Sequence, residues 1–303
     1  MLSEILKNSV GRSCWANWVA THEGQAARET RELLDIAFLG LPPSKRSRLS
    51  KKIQRGDAAV IEATLYEILT HELLYRLSLA PDFDPKIEGR LTPDIAFEIS
   101  GLRFIVDVLV THSPSKTIKR FGPRMYQVID HGERAQKILN TITEKSAKYA
   151  KTGLPLVLFV FLGDYSIHTD DVERPLFSLT LGEIEPNERF QESFAACKFG
   201  GVLLPDACGV PSHPNLSAVV ACQWFDTLHR GNPGRRLQCA VLHHYSPHVL
   251  LPPGTFSPFP EVLWHLRGPA HWEPQCVGQW NIVARFATNR QLEFRRYTVN
   301  APW

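Results

Sequence analysis

Residues Leu154-Pro-Leu-Val-Leu-Phe-Val-Phe-Leu162 form a nine-residue run with no polar side chain. A strand of this composition has no face to turn to water and must be covered on both sides. It therefore predicts a central position in a layered α/β sheet. Gly153 immediately before the run is a helix stop. The stretch from about 126 to 151 carries the apolar stripe Val128, Ala135, Ile138, Leu139, Ile142 and Tyr149, which predicts a long helix packed beside that strand.

The preceding segment supplies partners for the strand. Asp57 is an N-cap candidate for a helix reaching about Leu79, with Ile61, Leu65, Ile68, Leu69 and Leu73 on one arc. Pro-Asp-Phe-Asp-Pro at 81–85 breaks it. Two strand patterns follow, Pro93–Ile99 and Leu102–Val110, with Ser100-Gly101 as a tight hairpin turn, and a short strand is expected before Pro93. The first 55 residues read as helical, most clearly over Ala26–Phe38. Beyond the central strand the pattern is mixed. Twelve of the 22 prolines lie from Pro205 onward, and strand candidates fall at 217–224, 238–244 and 293–299. These features divide the chain into an N-terminal helical segment (1–56), an α/β core (57–165) and a C-terminal α+β extension (166–303).

Composition narrows the class. An apolar fraction of 44% with 21% charged residues is that of a globular chain with a substantial core, not a disordered or fibrous one. No stretch of eighteen uninterrupted apolar residues reads as a membrane span, and the N-terminus lacks the apolar centre of a secretion signal. Six scattered cysteines are then expected as reduced thiols, and the cytoplasm is the expected compartment. Hydrolase elbows, Walker-type loops and dinucleotide-binding glycine turns are absent from the sequence. Cys239, His243, His244, His248, His271 and Cys276 include no Cys-x-x-Cys pair, so packing and surface roles are favoured over zinc. Core roles are likewise favoured for Trp224, Phe225, Trp264, Trp272 and Trp280 over base stacking.

Two acids sit where a strand disfavours them. Asp94 opens one strand of the hairpin, and Asp107 interrupts Phe104-Ile-Val-Asp-Val-Leu-Val in the other. A buried carboxylate in a β-branched strand needs compensation, and a divalent cation held by paired carboxylates supplies it. A hairpin brings two such acids side by side at one end of a sheet. The simpler alternative is a pair of solvent-facing acids.

Pro93-Asp94, twelve intervening residues, then Asp107-Val108-Leu109, all preceded by the acid-bearing helix Glu67-Ile-Leu-Thr-His71-Glu72, resembles the PD-(D/E)xK nuclease superfamily. The following helix with Lys145 and Lys148-Tyr149, and the strand after it, resemble the next elements of that fold. The resemblance covers about 57–162 and implies a restriction-endonuclease-like core, a mixed central sheet flanked by helices. It implies that Asp94 and Asp107 are catalytic carboxylates binding Mg²⁺ or Mn²⁺, with the Val108 carbonyl as a further ligand. It places the helix acid at Glu67, near the metal or its water, with Glu72 as competitor. The superfamily's lysine two residues after the second acid is Leu109 here. Lys145 is the expected replacement because it flanks the apolar stripe and leans toward the sheet, whereas Lys148 lies further round and Lys137 points away.

The implied activity is metal-dependent hydrolysis of phosphodiester bonds in DNA, in bacterial defence or DNA processing. The alternative is an inactive nuclease-fold protein serving as a nucleic-acid-binding or regulatory subunit. Two cuts in a duplex would need a homodimer or rebinding, and a partner subunit is a further reading. The net charge of +3 is no footprint of nucleic-acid binding, but it hides local basic runs. Lys45, Arg46, Arg48, Lys51 and Lys52 precede the core. Lys116, Lys119, Arg120 and Arg124 follow the second acid, and Arg235-Arg236 come later. With Lys148, the first run and Lys116, Lys119 and Arg120 are the candidate phosphate contacts, the alternative being a solvated helix edge.

Overall fold

A computed structural model of the chain describes residues 1–8, 14–87, 91–111, 118–121, 124–127, 131–162, 182–184, 197–200, 202–203, 205, 208, 210–225, 236–268, 271–279 and 282–296. Five helices come first: α1 (Leu2–Lys7), α2 (Cys14–Thr21), α3 (Gln25–Leu39), α4 (Pro43–Arg55) and α5 (Ala58–Arg76). The Asp57 side chain accepts the Val60 amide and caps α5 as expected. From Ile61 to Leu74 the helix buries residues all around its circumference, well beyond the expected single arc. It contacts α3 and α4 as well as the sheet, so no face of its middle meets water.

The strands β1 (Asp82–Phe83), β2 (Ile95–Ile99) and β3 (Leu102–Thr111) begin the main sheet. Ser100 and Gly101 both have positive φ, 52° and 77°, which makes the β2–β3 connection the two-residue turn whose twist matches a hairpin. A separate small hairpin, β4 (Ile118–Phe121) with β5 (Arg124–Gln127), precedes α6 (His131–Tyr149). The helix expected from about Tyr126 thus begins five residues later, because Tyr126 pairs with Lys119 in the hairpin. Val128 lies outside the described residues. Gly153, at φ 67°, closes the end of this helix before β6 (Leu156–Leu162).

The strand β6 is the central one. It pairs in parallel with β3 on one side and with β9 (Leu216–Phe225) on the other. Val157, Phe159 and Phe161 face the layer of N-terminal helices, while Leu156, Leu158 and Val160 join Ile138, Ile142 and Tyr149 of α6. Period-two alternation of an apolar run between two helix layers explains why this segment carries no polar face.

The sheet continues through β10 (Arg236–His243), β11 (Glu261–Gly268) and β12 (His271–Val277), with β13 (Ile282–Phe286) and β14 (Leu292–Arg296) attached to β10. The strand candidates at 217–224 and 238–244 are β9 and β10. The candidate at 293–299 is β14 over its described part, and 297–299 lie outside the described residues. The strands of the C-terminal portion therefore extend the core sheet itself. A further two-stranded sheet joins β7 (Gly182–Ile184) to β8 (Cys197–Gly200). The whole is an α/β fold with a mixed, open central sheet flanked by helices. Among the described residues, no helix is long and apolar enough to cross a membrane.

The β13–β14 turn reaches back to α5. Arg290 Nη2 donates to Glu72 Oε2 at 2.7 Å, and Arg76 Nε donates to Glu72 Oε1 at 2.8 Å. Arg76 Nη1 also donates to the carbonyls of Ala287 at 2.7 Å and Gln291 at 2.8 Å. This pins the last hairpin to the buried helix.

Candidate active site

In the β2–β3 register Ile95 lies opposite Val106, so the next pair outward is Asp94 with Asp107. The geometry agrees. Asp94 Oδ2 accepts the Val108 amide at 2.8 Å, and Asp107 Oδ1 accepts the Asp94 amide at 3.3 Å. The two acids expected to meet at one end of a hairpin are therefore cross-strand neighbours. Asp107 is not solvent-facing, at 1% exposed, and Asp94 is half-buried.

Asp107 shares the α6 side of β3 with Ile105, and α6 supplies its partners. Lys145 Nζ donates to Asp107 Oδ2 at 2.6 Å, and the Tyr149 hydroxyl donates to Oδ1 at 2.9 Å. Lys148 Nζ donates to the Tyr149 hydroxyl at 2.7 Å and lies 3.9 Å from Asp107 Oδ2. Lys145 is thus the closer lysine, as its place beside the apolar stripe suggested, but Lys148 is nearer than expected. One turn of helix brings both to the same carboxylate. Leu109, where the resemblance has lysine, packs against the apolar layer shared with α6.

Glu67 and Glu72 separate cleanly. Glu72 is buried with Arg76 and Arg290, whereas Glu67 lies within electrostatic range of Asp94 and Asp107. Both Glu67 oxygens accept from Lys52 Nζ, at 2.8 and 2.9 Å. Burial pushes the Glu67 pKa up against the pull of Lys52, with Asp84 and Asp107 adding to the rise. Burial pulls the Lys145 ammonium down, but Asp107 outweighs it and the net shift is upward. Burial, then Asp107, raises Tyr149.

The Asp94 carboxyl is pushed up to about 8, first by burial and then by the negative charges of Glu67 and Asp107. An acid with a higher pKa folded than unfolded keeps its proton preferentially in the folded chain. Its stabilising contribution is full below the unfolded value of 3.8 and is lost as pH rises toward 8. Without added divalent cation, the melting temperature of the wild type should therefore fall relative to Asp94→Asn between about pH 4 and pH 8. Melting curves for both proteins across that range check this; a difference that grows in favour of the wild type rejects the assignment.

The basic run forms α4, and its inner face is directed at the protein's own acids and carbonyls, contrary to the expectation of a free phosphate-binding patch. Lys45 Nζ donates to the carbonyls of Phe83 and Asp84, Arg48 pairs with Asp84 Oδ1 at 2.7 Å, and Lys52 holds Glu67. Lys51 is exposed and Arg46 half-buried. Lys116 and Arg235 lie outside the described residues. Lys119, Arg120 and Arg124 lie on the β4–β5 hairpin.

Three features escaped the sequence reading. Tyr149 was legible only as a member of the apolar stripe. Asp84 was hidden in a helix-breaking stretch, although a non-glycine residue at φ 52° is the backbone signature of a constrained position. The Lys52–Glu67 pair was foreshadowed by Lys45, Arg48 and Lys52 recurring at helical spacing.

Among the described residues, no three His, Cys, Asp or Glu side chains gather closely enough to hold a metal by themselves. The chemistry of Asp94 and Asp107 still fits magnesium, which takes hard oxygen donors and is commonly held by one or two carboxylates with several waters. Burial is the first cause of the raised Asp94 pKa, and the repulsion from Glu67 and Asp107 that adds to it is the kind a dication relieves. No family model, no curated protein and no solved structure matches this chain.

Proposed function

We propose that this chain is a metal-dependent nuclease hydrolysing phosphodiester bonds of DNA, on a restriction-endonuclease-like core. The observation that carries the reading is the cross-strand pair Asp94–Asp107 with the Lys145 ammonium 2.6 Å from Asp107. An acid pair, a lysine and a helix acid in this chain order belong together in that chemistry. Asp94 and Asp107, with the Val108 carbonyl, are the metal-holding groups. A bound Mg²⁺ or Mn²⁺ would polarise the scissile phosphate and lower the pKa of the attacking water.

The chain's own residues do the rest. Lys145 orients the attacking water and offsets charge on the phosphate, a task its fixed cation can perform from α6. Tyr149 and the Asp94 amide hold the Asp107 carboxylate in one orientation. Lys51, Lys148, Lys119 and Arg120 are the candidate phosphate contacts, and a role in defence or DNA processing belongs to the same proposal.

A second reading is favoured by Leu109: a nuclease-fold protein that has lost catalysis and binds nucleic acid or a partner subunit. Incubating the chain with plasmid and single-stranded DNA separates the two. The nuclease cleaves with Mg²⁺ or Mn²⁺ and stops in EDTA. The binding protein retains DNA in EDTA and cleaves with no divalent metal. Lys145→Met should lower the cleavage rate by about 10²–10⁴-fold while changing DNA affinity little. An equal effect on affinity would assign Lys145 to substrate binding instead.

A further inference from the structure

We propose that the site takes a single divalent cation, on Asp94 and Asp107, and that the Lys52 ammonium is a built-in substitute for a second one at Glu67. The inference rests on the metal-dependent reading above and deepens it. Two-metal phosphodiesterases neutralise the attacking and leaving oxygens with a pair of cations about 3.5–4 Å apart. In this chain the second carboxylate position already has its cation. Lys52 bonds both oxygens of Glu67, whose side chain is 8% exposed, and it does so from a different helix.

Lys52 is not a surface lysine that happens to fall nearby. Three residues of one α4 face are anchored in series: Lys45 on the carbonyls of Phe83 and Asp84, Arg48 on Asp84, and Lys52 on Glu67. The first two contacts hold the helix in register, so the third delivers its charge to one place. An ammonium does this without shedding a hydration shell as tightly bound as that of Mg²⁺.

A second acid, Asp84, is held by the same α4 face. Its side chain is 9% exposed, Oδ1 is taken by Arg48, and the buried Oδ2 has no hydrogen-bond partner. Arg48 and Lys52 stand one turn apart on α4, so the carboxylates they hold, Asp84 and Glu67, lie along the same helix face, and the Asp84 amide donates to the Asp94 carbonyl at 2.8 Å. Two hard carboxylates suffice for a hydrated dication. Glu67 and Asp84 would accordingly form a metal site were the lysine charge removed. Lys52 is then a positioning residue that sets the number of metals the site accepts.

The experiment counts metal on the full chain. Calorimetric titration with Mn²⁺ should give one ion per wild-type chain, two for Lys52→Met, one for Lys52→Arg and one for the Lys52→Met, Glu67→Gln double variant. Methionine keeps an unbranched apolar stem at the α4–α5 contact, and circular dichroism confirms that each variant is folded. The wild type alone provides an independent check, because its bound Mn²⁺ should give the electron paramagnetic resonance spectrum of an isolated ion. A spin-coupled pair in the wild type, or a Lys52→Met protein still binding one ion, overturns the inference and leaves the nuclease reading standing. A wild type that binds no Mn²⁺ removes both.

Discussion

Asp107→Asn should abolish metal-supported DNA cleavage, with a loss on the order of 10²–10⁴-fold or more, while the protein stays folded. The carboxylate is the meeting point of Lys145, Tyr149 and the Asp94 amide. Asparagine preserves the shape but offers one acceptor oxygen in place of two, so either Lys145 or Tyr149 loses its bond. It also removes the negative charge on which metal holding depends. The fold should survive because Lys145 and Lys148, 31% and 39% exposed, can turn toward water when the acid is neutralised. The buried strand gains by exchanging a charge for an amide. Asp94→Asn should behave in the same way. Initial rates on supercoiled plasmid, read beside far-ultraviolet circular dichroism, decide the matter. Full-rate cleavage by both variants would falsify the site.

Glu72→Ala should do the opposite, destabilising the fold by about 3–5 kcal/mol, with a melting temperature lower by on the order of 10 °C. The Glu72 and Arg76 side chains are both fully buried. Removing the acid takes away the counter-charge of a buried guanidinium that lies beside the Phe286 ring and keeps its bonds to the Ala287 and Gln291 carbonyls. Arg290→Ala should cost less, since Arg290 is one-third exposed and Glu72 would keep Arg76. At low temperature Glu72→Ala should retain metal-supported cleavage. Thermal denaturation and cleavage assays on the one variant therefore separate the two helix acids. A loss below about 1 kcal/mol would mean the buried pair is dispensable.

The hairpin and its two acids were legible because their signals are local. A two-residue turn fixes the register, and the register fixes which side chains oppose one another. The central position of β6 was legible from composition alone, because a run with no polar face fits only between two layers. Lys145 followed from helical periodicity, which carries its direction from the axis. The start of α6 was misjudged because the residues before it pair as a hairpin, a cross-strand preference that a helical stripe cannot reveal. The continuation of the sheet through β9 and β10 was illegible for a similar reason, since nothing in a strand's own sequence names its neighbour. Asp84 was missed because its environment is assembled from three separate segments. The basic run was read as surface, although charge counting cannot distinguish a cation facing solvent from one bound to a buried acid.

Glu72 and Arg290 are 218 residues apart along the chain, and that separation places a clock in the folding reaction. At ordinary synthesis rates the helix bearing Glu72 is complete roughly ten to forty seconds before its distant partner exists. The strand β6 likewise waits for β9 before its second edge is paired. The helical layer and first hairpin must therefore persist as an unfinished assembly, with an apolar strand edge and a half-compensated buried charge. Such a chain closes only after its C-terminal hairpin has been made, and during that interval it is most open to wrong pairing and to chaperone capture.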